Sequence, residues 1–325
     1  MLDLTETGTR VEDAPVAGVL DRVREQLTDL VADRHPGSAW TMRHFVSRGA
    51  RTVSRRLFVE VLFEDGPAWI AKVPLNPSDS MVDREWDVLA RRTWTHPVFE
   101  TPVALARLEH GFVMSWVPRA DFPDVLSAVG TDAPALLTRA TDAVATLHGH
   151  GYRADARPLV EEYLGPRFRE LPESTVESLS HARTGLFHGD LGPWNLRVGE
   201  GGALGLIDWE DCREEGVQAV DVLNLAMTSV LAADPGHQDR EMASLVDEML
   251  DPASPMGAAI IASLRRYARA TDQCIHDVGA LVPLFCLWME ERIRRQGRAT
   301  DHLFYSPLRA RFTQDGRKWI RELGR

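Results

Sequence analysis

The chain has 325 residues, 44% of them hydrophobic and 26% charged, which is typical of a soluble globular protein and sufficient for two lobes or domains. A formal net charge of −11 disfavours binding to nucleic acid or to an anionic membrane, and the absence of a long apolar run excludes a predicted transmembrane helix. Three scattered cysteines and a polar N-terminus without a signal sequence indicate a cytoplasmic protein.

The first third of the chain is predicted to form one helix and then a sheet. Apolar residues recur at helical spacing over 16–34, and His35-Pro36-Gly37 ends that helix. β-branched and aromatic runs divided by turn residues predict a meander of three antiparallel strands, a helix at 80–93 and two further strands. The predicted strands are 40–47, 55–64, 68–75, 101–108 and 111–117.

After Pro118 the apolar pattern becomes helical. An antiparallel sheet followed by helices predicts an α+β fold with a smaller N-terminal lobe at 1–117 and a larger helical lobe at 118–325. A cleft between two such lobes is where a small ligand is expected to bind. The predicted helices of the second lobe are 133–148, 218–232, 239–250, 256–270, 278–295 and 307–323.

Two short motifs carry the chemistry. HGDLGPWN, at 188–195, keeps the spacing of the protein-kinase pattern HRDxxxxN, in which the Asp accepts a hydroxyl proton and the Asn binds magnesium. Asp190 and Asn195 occupy those positions, and the Gly-Pro turn between them is expected to bring both side chains to one pocket. Asp208, at the end of the apolar run ALGLID, is predicted to be the second ligand, since magnesium prefers oxygen. Each motif alone is compatible with an ordinary turn or strand end, but together they predict a magnesium-ATP site.

A lysine and a glutamate are candidates to bind the phosphates. Lys72 lies in the strand WIAKVP, and Glu85 lies on the next predicted helix. In protein kinases a strand lysine contacts the phosphates and is aimed by an ion pair with a helical glutamate. The alternative for Lys72 is an outward-facing, solvated strand residue, and the neighbours Asp83 and Asp87 are alternatives to Glu85.

These residues resemble the aminoglycoside phosphotransferase and choline-kinase-like family, whose members are relatives of the protein kinases. The resemblance covers about residues 40–230 and implies a bilobal protein-kinase-like fold that uses ATP, or GTP as the alternative, together with Mg²⁺. FVMSWVP is similar to the hinge of this family. By that likeness Met114 backs the adenine, and the backbone of Ser115 and Val117 bonds to its edge.

The resemblance also implies supporting roles around the catalytic loop. Asp221 resembles the aspartate that steadies this loop by hydrogen bonds, and His188 resembles the histidine that holds the loop rather than accepting a proton. Trp194 stands where many relatives have a small residue. It is expected either to pack under the loop or to form a wall of the acceptor pocket.

The phosphate loop departs from the protein-kinase pattern. SRGARTVSRR has a single glycine in place of GxGxxG, and the resemblance implies a looser loop with Gly49 and Ser54 as the binding candidates. Arg51, Arg55 and Arg56 are expected to be solvated hairpin charges, with phosphate contact as the alternative.

The sequence leaves the acceptor open. By resemblance it is an aminoglycoside, another antibiotic, a sugar, a nucleoside or an amino alcohol, used by a monomer or homodimer. A binding protein without phosphotransfer is an alternative; a protein kinase is disfavoured because the short stretch from Asp208 to Asp221 leaves no room for an activation loop. Carboxylates of the second lobe suit a cationic acceptor, although most are expected to be solvated: Glu161, Glu162, Glu170, Glu173, Glu177, Glu210, Asp211, Glu214, Glu215, Glu290 and Glu291.

Overall fold

The computed structural model describes residues 14–47, 55–64, 68–91, 98–117, 120–234, 236–300 and 303–324. The chain divides into two compact units, one from Met1–Thr95 with Thr101–Pro118 and one from His96–Glu100 with Arg119–Arg325. The lobe boundary placed at residue 117 stays a prediction of the sequence. Among the described helices, none combines the length and the apolar character that a membrane span requires.

Strands and helices are numbered in chain order. The strands are β1 Trp40–Val46, β2 Arg56–Phe63, β3 Trp69–Pro74, β4 Phe99–Glu100, β5 Ala104–Arg107, β6 Phe112–Ser115, β7 Ala120–Asp121, β8 Tyr152–Ala154, β9 Ala182–Phe187, β10 Leu196–Val198, β11 Leu204–Leu206 and β12 Arg213–Val217. The helices are α1 Ala14–Arg34, α2 Met81–Arg91, α3 Phe122–Ala128, α4 Ala133–Leu147, α5 Arg157–Leu164, α6 Glu173–Leu179, α7 Ala219–Ala233, α8 Met242–Leu250, α9 Pro255–Ala270, α10 Ile275–Ala280, α11 Val282–Arg295 and α12 Tyr305–Leu323.

The first unit contains a five-stranded antiparallel sheet in the order β1-β2-β3-β6-β5. Alternate residues of β2 point to one face and are buried against the apolar side of α1. The strand and the helix therefore share one hydrophobic core. The five-stranded sheet and the α+β fold predicted from the sequence are confirmed. The core of this unit includes Val23, Leu27 and Val31 of α1 and Leu57, Val59 and Val61 of β2.

The turn between β5 and β6 requires a glycine. Gly111 has a φ of +97°, and a Cβ at this position would lie 2.3 Å from the Lys72 carbonyl oxygen of the neighbouring strand. The Leu108 N–H closes the turn by donating to the Gly111 carbonyl at 3.1 Å. The predicted EHG hairpin turn is therefore present, and it allows β6 to lie directly beside β3.

The second unit is mainly helical. Helices α4, α7 and α9 pack on one another, and α11 packs on α7. Two small sheets have the orders β4-β11-β10-β7 and β12-β9-β8. Glycines in the turn at 199–202 close the β10–β11 hairpin, as the sequence GEGG predicts. Large side chains fill the core of this unit: Phe122, Phe187, Trp209, Tyr267, Phe285 and Trp288.

The helix predicted at 278–295 is wrong in one respect, because two helices occupy this region. Helix α10 ends at Ala280 and α11 begins at Val282, with Pro283 in its first turn. Proline has no backbone N–H to donate to the preceding turn, whereas the start of a helix needs none. The apolar pattern continues across this break, so periodicity alone could not reveal it.

Three short helices were absent from the sequence-based prediction. Helices α3, α5 and α6 have 7, 8 and 7 residues. About two turns contain too few repeats to establish a helical period. A proline near the start of α3 and of α5 was the available local signal.

Candidate active site

The loop at 188–195 begins where β9 ends and is fixed through its backbone. Asp221, buried in the first turn of α7, accepts hydrogen bonds from the N–H groups of His188 at 2.7 Å and Gly189 at 3.0 Å. His148 Nε2 lies 3.4 Å from Asp221 Oδ2 on the other side. The hydrogen bonds that the resemblance implies for Asp221 are thus present.

His188 ties this loop to the strand that follows it. Its Nδ1 faces the Asp190 N–H at 3.3 Å and therefore accepts, which leaves Nε2 to donate to the Ile207 carbonyl at 3.1 Å. Burial lowers the pKa of His188, in keeping with a neutral ring. Both ring nitrogens are thus engaged within the protein, which fits a role in holding the loop.

The turn at 192–195 brings Asp190 and Asn195 together. The Asn195 N–H donates to the Gly192 carbonyl at 3.0 Å, which reverses the chain. The Asn195 amide nitrogen Nδ2 then donates to the Asp190 backbone carbonyl at 2.8 Å and to its carboxylate oxygen Oδ2 at 3.1 Å. The sequence expectation that the Gly-Pro turn would face both side chains toward one place agrees with this geometry.

Asp208 lies at the same end of the β10–β11 hairpin as Asn195. Leu196 pairs with Leu206, and the next pair is closed by the Ile207 N–H donating to the Asn195 carbonyl at 3.0 Å. Asp208 has a φ of +64°, in the left-handed region that non-glycine residues rarely adopt. Such strain is concentrated at functional positions, because only a supporting structure maintains it.

Arg292 is a residue of this site that the sequence did not reveal. From α11, its Nη2 lies 2.9 Å from Asp190 Oδ2 and its Nε lies 2.6 Å from Asp211 Oδ2. The side chain is only 11% exposed. Nothing in the run EERIRR separates Arg292 from Arg294 and Arg295, since all three are arginines on the same helix.

The charge of Asp190 is strongly influenced by its surroundings. Burial raises the pKa of Asp190 to about 7; Arg292 lowers it, and the carboxylates of Asp211 and Asp208 raise it. Burial also opposes the charge of Arg292, but Asp190 and Asp211 outweigh this and raise the pKa of the guanidinium. A carboxyl group with a pKa near neutrality is well suited to accept a proton from a hydroxyl group.

The two carboxylate oxygens of Asp190 have different environments. Oδ2 has three donors: Arg292 Nη2, Asn195 Nδ2 and, at 3.4 Å, Trp194 Nε1. Oδ1 is buried and has no hydrogen-bond partner among the described residues. A buried unpaired acceptor is costly and is rare outside functional positions. This oxygen is therefore the atom of the carboxylate that is free to accept a hydrogen bond from a ligand.

Trp194 lies against the loop and is partly exposed. Its side chain is 38% exposed, and its ring covers Gly192, where a Cβ would lie 2.3 Å from the indole. Its indole N–H donates to the Asp190 carboxylate. The ring thus contacts the loop beside Asp190, and its role as a wall of the acceptor pocket stays a prediction.

In the first unit, Lys72 and Glu85 form a buried ion pair. Lys72 Nζ lies 2.5 Å from Glu85 Oε2, and the two residues are 2% and 0% exposed. An outward-facing, solvated Lys72 is therefore excluded. Lys72 is also one of only two lysines in the chain, the other being Lys318.

Arg56 differs from its expected state as a solvated hairpin charge. It is buried at the start of β2, and its guanidinium donates to the Asp79 carboxylate at 2.8 and 3.3 Å. Gly49, Ser54 and Arg51 lie outside the described residues.

The predicted hinge begins in the inner strand β6. Met114 is buried and lies opposite Ile70 of the neighbouring strand β3. The Ser115 N–H donates to the Val103 carbonyl at 2.9 Å, so an adenine bond at Ser115 would have to use its carbonyl oxygen. Val117 is buried at the end of this segment.

Several carboxylates considered for a cationic acceptor are neutralised by arginines of the same unit. Asp211 pairs with Arg292, Glu290 with Arg167 at 2.5 Å, and Glu291 with Arg294 and Arg295 at 2.7 and 2.9 Å. Glu170 also pairs with Arg167 and Arg309. Their charges therefore contribute less attraction to a cation than the sequence suggests.

Comparison with known proteins agrees with this fold. Residues 54–241 match the phosphotransferase enzyme family, and the chain belongs to that family. No curated protein matches the chain.

Among solved structures, the fold is similar to those of an ethanolamine kinase, a choline kinase and an aminoglycoside phosphotransferase. An ethanolamine kinase from Plasmodium vivax has a TM-score of 0.51 at 12% identity, over 95% of this chain and 91% of that one. Choline kinase from Cryptosporidium parvum Iowa II has a TM-score of 0.51 at 9% identity, over 92% and 97%. A thermostable mutant of the aminoglycoside phosphotransferase APH(4)-Ia, in a ternary complex with ADP and hygromycin B, has a TM-score of 0.50 at 10% identity, over 90% and 97%. The protein-kinase-like fold is thereby established.

Proposed function

We propose that this protein transfers the γ-phosphoryl group of ATP to a hydroxyl group of a small molecule, with Asp190 as the base. One observation supports this above the others. The Asp190 carboxylate keeps one buried oxygen unpaired in a loop whose backbone is fixed by Asp221. Membership of a phosphotransferase family gives the reaction class.

The proposed step breaks and forms one bond at phosphorus. The acceptor O–H bond breaks as its proton moves to the Asp190 carboxylate, and the acceptor oxygen forms a bond to the γ-phosphorus. The bond from that phosphorus to the bridging oxygen breaks, and ADP leaves with its electron pair. The proton then passes from Asp190 to solvent, which restores the carboxylate.

Asn195 and Asp208 are proposed to hold Mg²⁺. Asn195 uses its amide nitrogen to donate to Asp190, which leaves its carbonyl oxygen as the side-chain atom suited to a cation. With the Asp208 carboxylate this gives the hard oxygen donors that magnesium prefers. Bound there, Mg²⁺ would neutralise negative charge on the phosphates.

The first unit is proposed to bind the nucleotide. Lys72, aimed by Glu85, would contact the phosphates; Met114 would contact the adenine, and the backbone of Ser115 and Val117 would bond to its edge. Gly49 and Ser54 remain candidates for the phosphate loop. ATP is the proposed donor, with GTP as the alternative.

The acceptor is proposed to be a small hydroxyl compound of the kinds that similar proteins are named for. These include choline, ethanolamine and the aminoglycoside hygromycin B. Because several carboxylates around α11 are already paired with arginines, neutral sugars and nucleosides belong in the same panel as cationic acceptors.

The test is an ADP-release assay with magnesium-ATP against aminoglycosides, macrolides, nucleosides, hexoses, choline and ethanolamine. We expect one class to stimulate release well above the hydrolysis background. Asp190→Ala should lose activity by a factor of about 10² to 10⁴, the usual contribution of a general base, while still binding ATP. Retention of more than a few per cent of activity would exclude Asp190 as the base. ATP binding without release across the panel would favour the binding-protein alternative.

A further inference from the structure

We propose that Arg292 is a positioning residue that holds Asp190 so that its oxygen Oδ1 receives the proton of the acceptor. This inference rests on the proposed function and adds to it a residue and an atom. It follows from the arrangement of hydrogen-bond donors around the Asp190 carboxylate.

The three donors around Asp190 all reach the same oxygen. Arg292 at 2.9 Å, Asn195 at 3.1 Å and Trp194 at 3.4 Å face Oδ2, whereas Oδ1 is buried without a partner. A carboxylate oxygen with three donors has little capacity to accept a further hydrogen bond. The acceptor hydroxyl therefore has to approach Oδ1.

Arg292 is the donor best placed to fix this orientation, because its own position is fixed at two points. Its Nε bonds to Asp211 at 2.6 Å while its Nη2 reaches Asp190. The planar guanidinium can bridge two carboxylates at once, and a lysine ammonium on a flexible stem would not hold both with the same geometry. The pair thus restrains rotation of the Asp190 side chain.

The packing of Trp288, one turn before Arg292 on α11, fixes the position of the helix that carries the arginine. Trp288 precedes Arg292 by four residues and so lies on the same helical face. Its ring stacks on Tyr163 at 3.6 Å and meets the edge of Phe187, the residue before the catalytic loop, at 5.3 Å. An aromatic contact and an ion pair therefore connect helix α11 to the loop.

Gly189 connects the second carboxylate to the same loop. It has a φ of +86°, and a Cβ there would lie 2.5 Å from the Asp211 carbonyl oxygen. Asp211, which pairs with Arg292, thus lies directly against the catalytic loop. Asp190, Arg292 and Asp211 form one connected group within the second unit.

The test compares Arg292→Ala and Arg292→Lys with Arg294→Ala, using the acceptor found in the panel or, failing that, magnesium-ATP hydrolysis. Arg294 lies on the same helix in an ion pair with Glu291, but its side chain is 64% exposed. For Arg292→Ala we expect kcat to fall about 100-fold, the cost of a misplaced catalytic group, with the KM for ATP unchanged. Arg292→Lys should be intermediate, and Arg294→Ala should match the unsubstituted protein.

Chemical rescue separates positioning from a structural role. Millimolar guanidinium should restore part of kcat to Arg292→Ala by occupying the vacated position, and should restore nothing to Asp190→Ala. A fall in KM or in thermal stability without a fall in kcat would overturn the proposal. Equal effects of guanidinium on Arg292→Ala and Arg294→Ala would also overturn it.

Thermal unfolding tests the pair even if no acceptor is phosphorylated. The changes in Tm of Arg292→Ala, Asp190→Ala and the double variant should be non-additive by at least about 2 °C, since coupled neighbours do not add. Additive changes would show that the two residues do not interact and would overturn the proposal. Non-additive changes in a protein that phosphorylates no compound would refute the proposed function and leave the pair intact.

Discussion

Lys72 shows how burial changes the meaning of a charged residue. In the sequence it is one lysine within an apolar strand, which suits a surface position as well as a site. In the structure it is buried against Glu85, at a cost in desolvation that a stability role alone rarely justifies. The pairing fixes the ammonium in one place, which suits the phosphate contact proposed for it.

Lys72→Met is expected to reduce kcat/KM for ATP about 100-fold, because one charge-assisted contact to the phosphates is lost. Lys318→Met is the matched control, since Lys318 is the other lysine of the chain and is exposed on α12. The measurement is steady-state kinetics over a range of ATP concentrations. Equal activities of the two variants would contradict the assignment of Lys72.

Arg56→Met is expected to destabilise the first unit by about 3–5 kcal/mol, because it leaves the buried Asp79 carboxylate without its partner. Arg91→Met is the control, since Arg91 and Asp87 form an exposed pair for which we expect about 0–1 kcal/mol. Urea unfolding measures both free energies of unfolding. A loss for Arg56→Met no larger than that for Arg91→Met would be inconsistent with a buried pair.

At the scale of single elements, the loop at 188–195 depends on backbone conformation as much as on side chains. The backbone at Gly189 would be strained for any other residue, and a Cβ there would also meet Asp211, whereas Gly201 in the β10–β11 turn has a φ of +65° and open space where a Cβ would lie. These two glycines separate the cost of a left-handed backbone from the cost of a clash.

Gly189→Ala is expected to abolish most activity, because the new Cβ would push the loop away from Asp211. Gly201→Ala should cost about 1–2 kcal/mol of stability, the usual penalty of the left-handed conformation, and leave kcat unchanged. Turnover and urea unfolding of both variants check this. Full activity of Gly189→Ala would show that the contact does not constrain the loop.

At the scale of the whole molecule, nucleotide binding should increase the thermal stability of the protein. A ligand at 100 times its Kd that binds only the folded state adds about 2.7 kcal/mol. We expect magnesium-ATP to raise Tm, and EDTA to remove most of that increase. Asp208→Ala should show the same small shift with and without magnesium. A normal magnesium effect in Asp208→Ala would contradict its assignment as a ligand.

Much of the fold and of the turn at 188–195 could be predicted because the signals are local. The alternation in β2, the turn glycines and the five-residue spacing of Asp190 and Asn195 each involve neighbours in the chain. The α10–α11 break was not predicted, since the apolar pattern continues through it. The short helices α3, α5 and α6 have too few turns to show a period.

The sequence by itself determined the α+β fold, the five-stranded sheet and the chemical groups proposed to act, because periodicity and motif spacing are properties of short segments. Only the tertiary structure decided that Arg56 is buried, that Trp194 is exposed and that Arg292 reaches Asp190. Asp190 and Arg292 are about a hundred residues apart in the chain and meet because α11 packs on α7, whose first turn holds the loop at 188–195. No local pattern marks one arginine among several on a helix, since its role depends on the surface against which that helix packs.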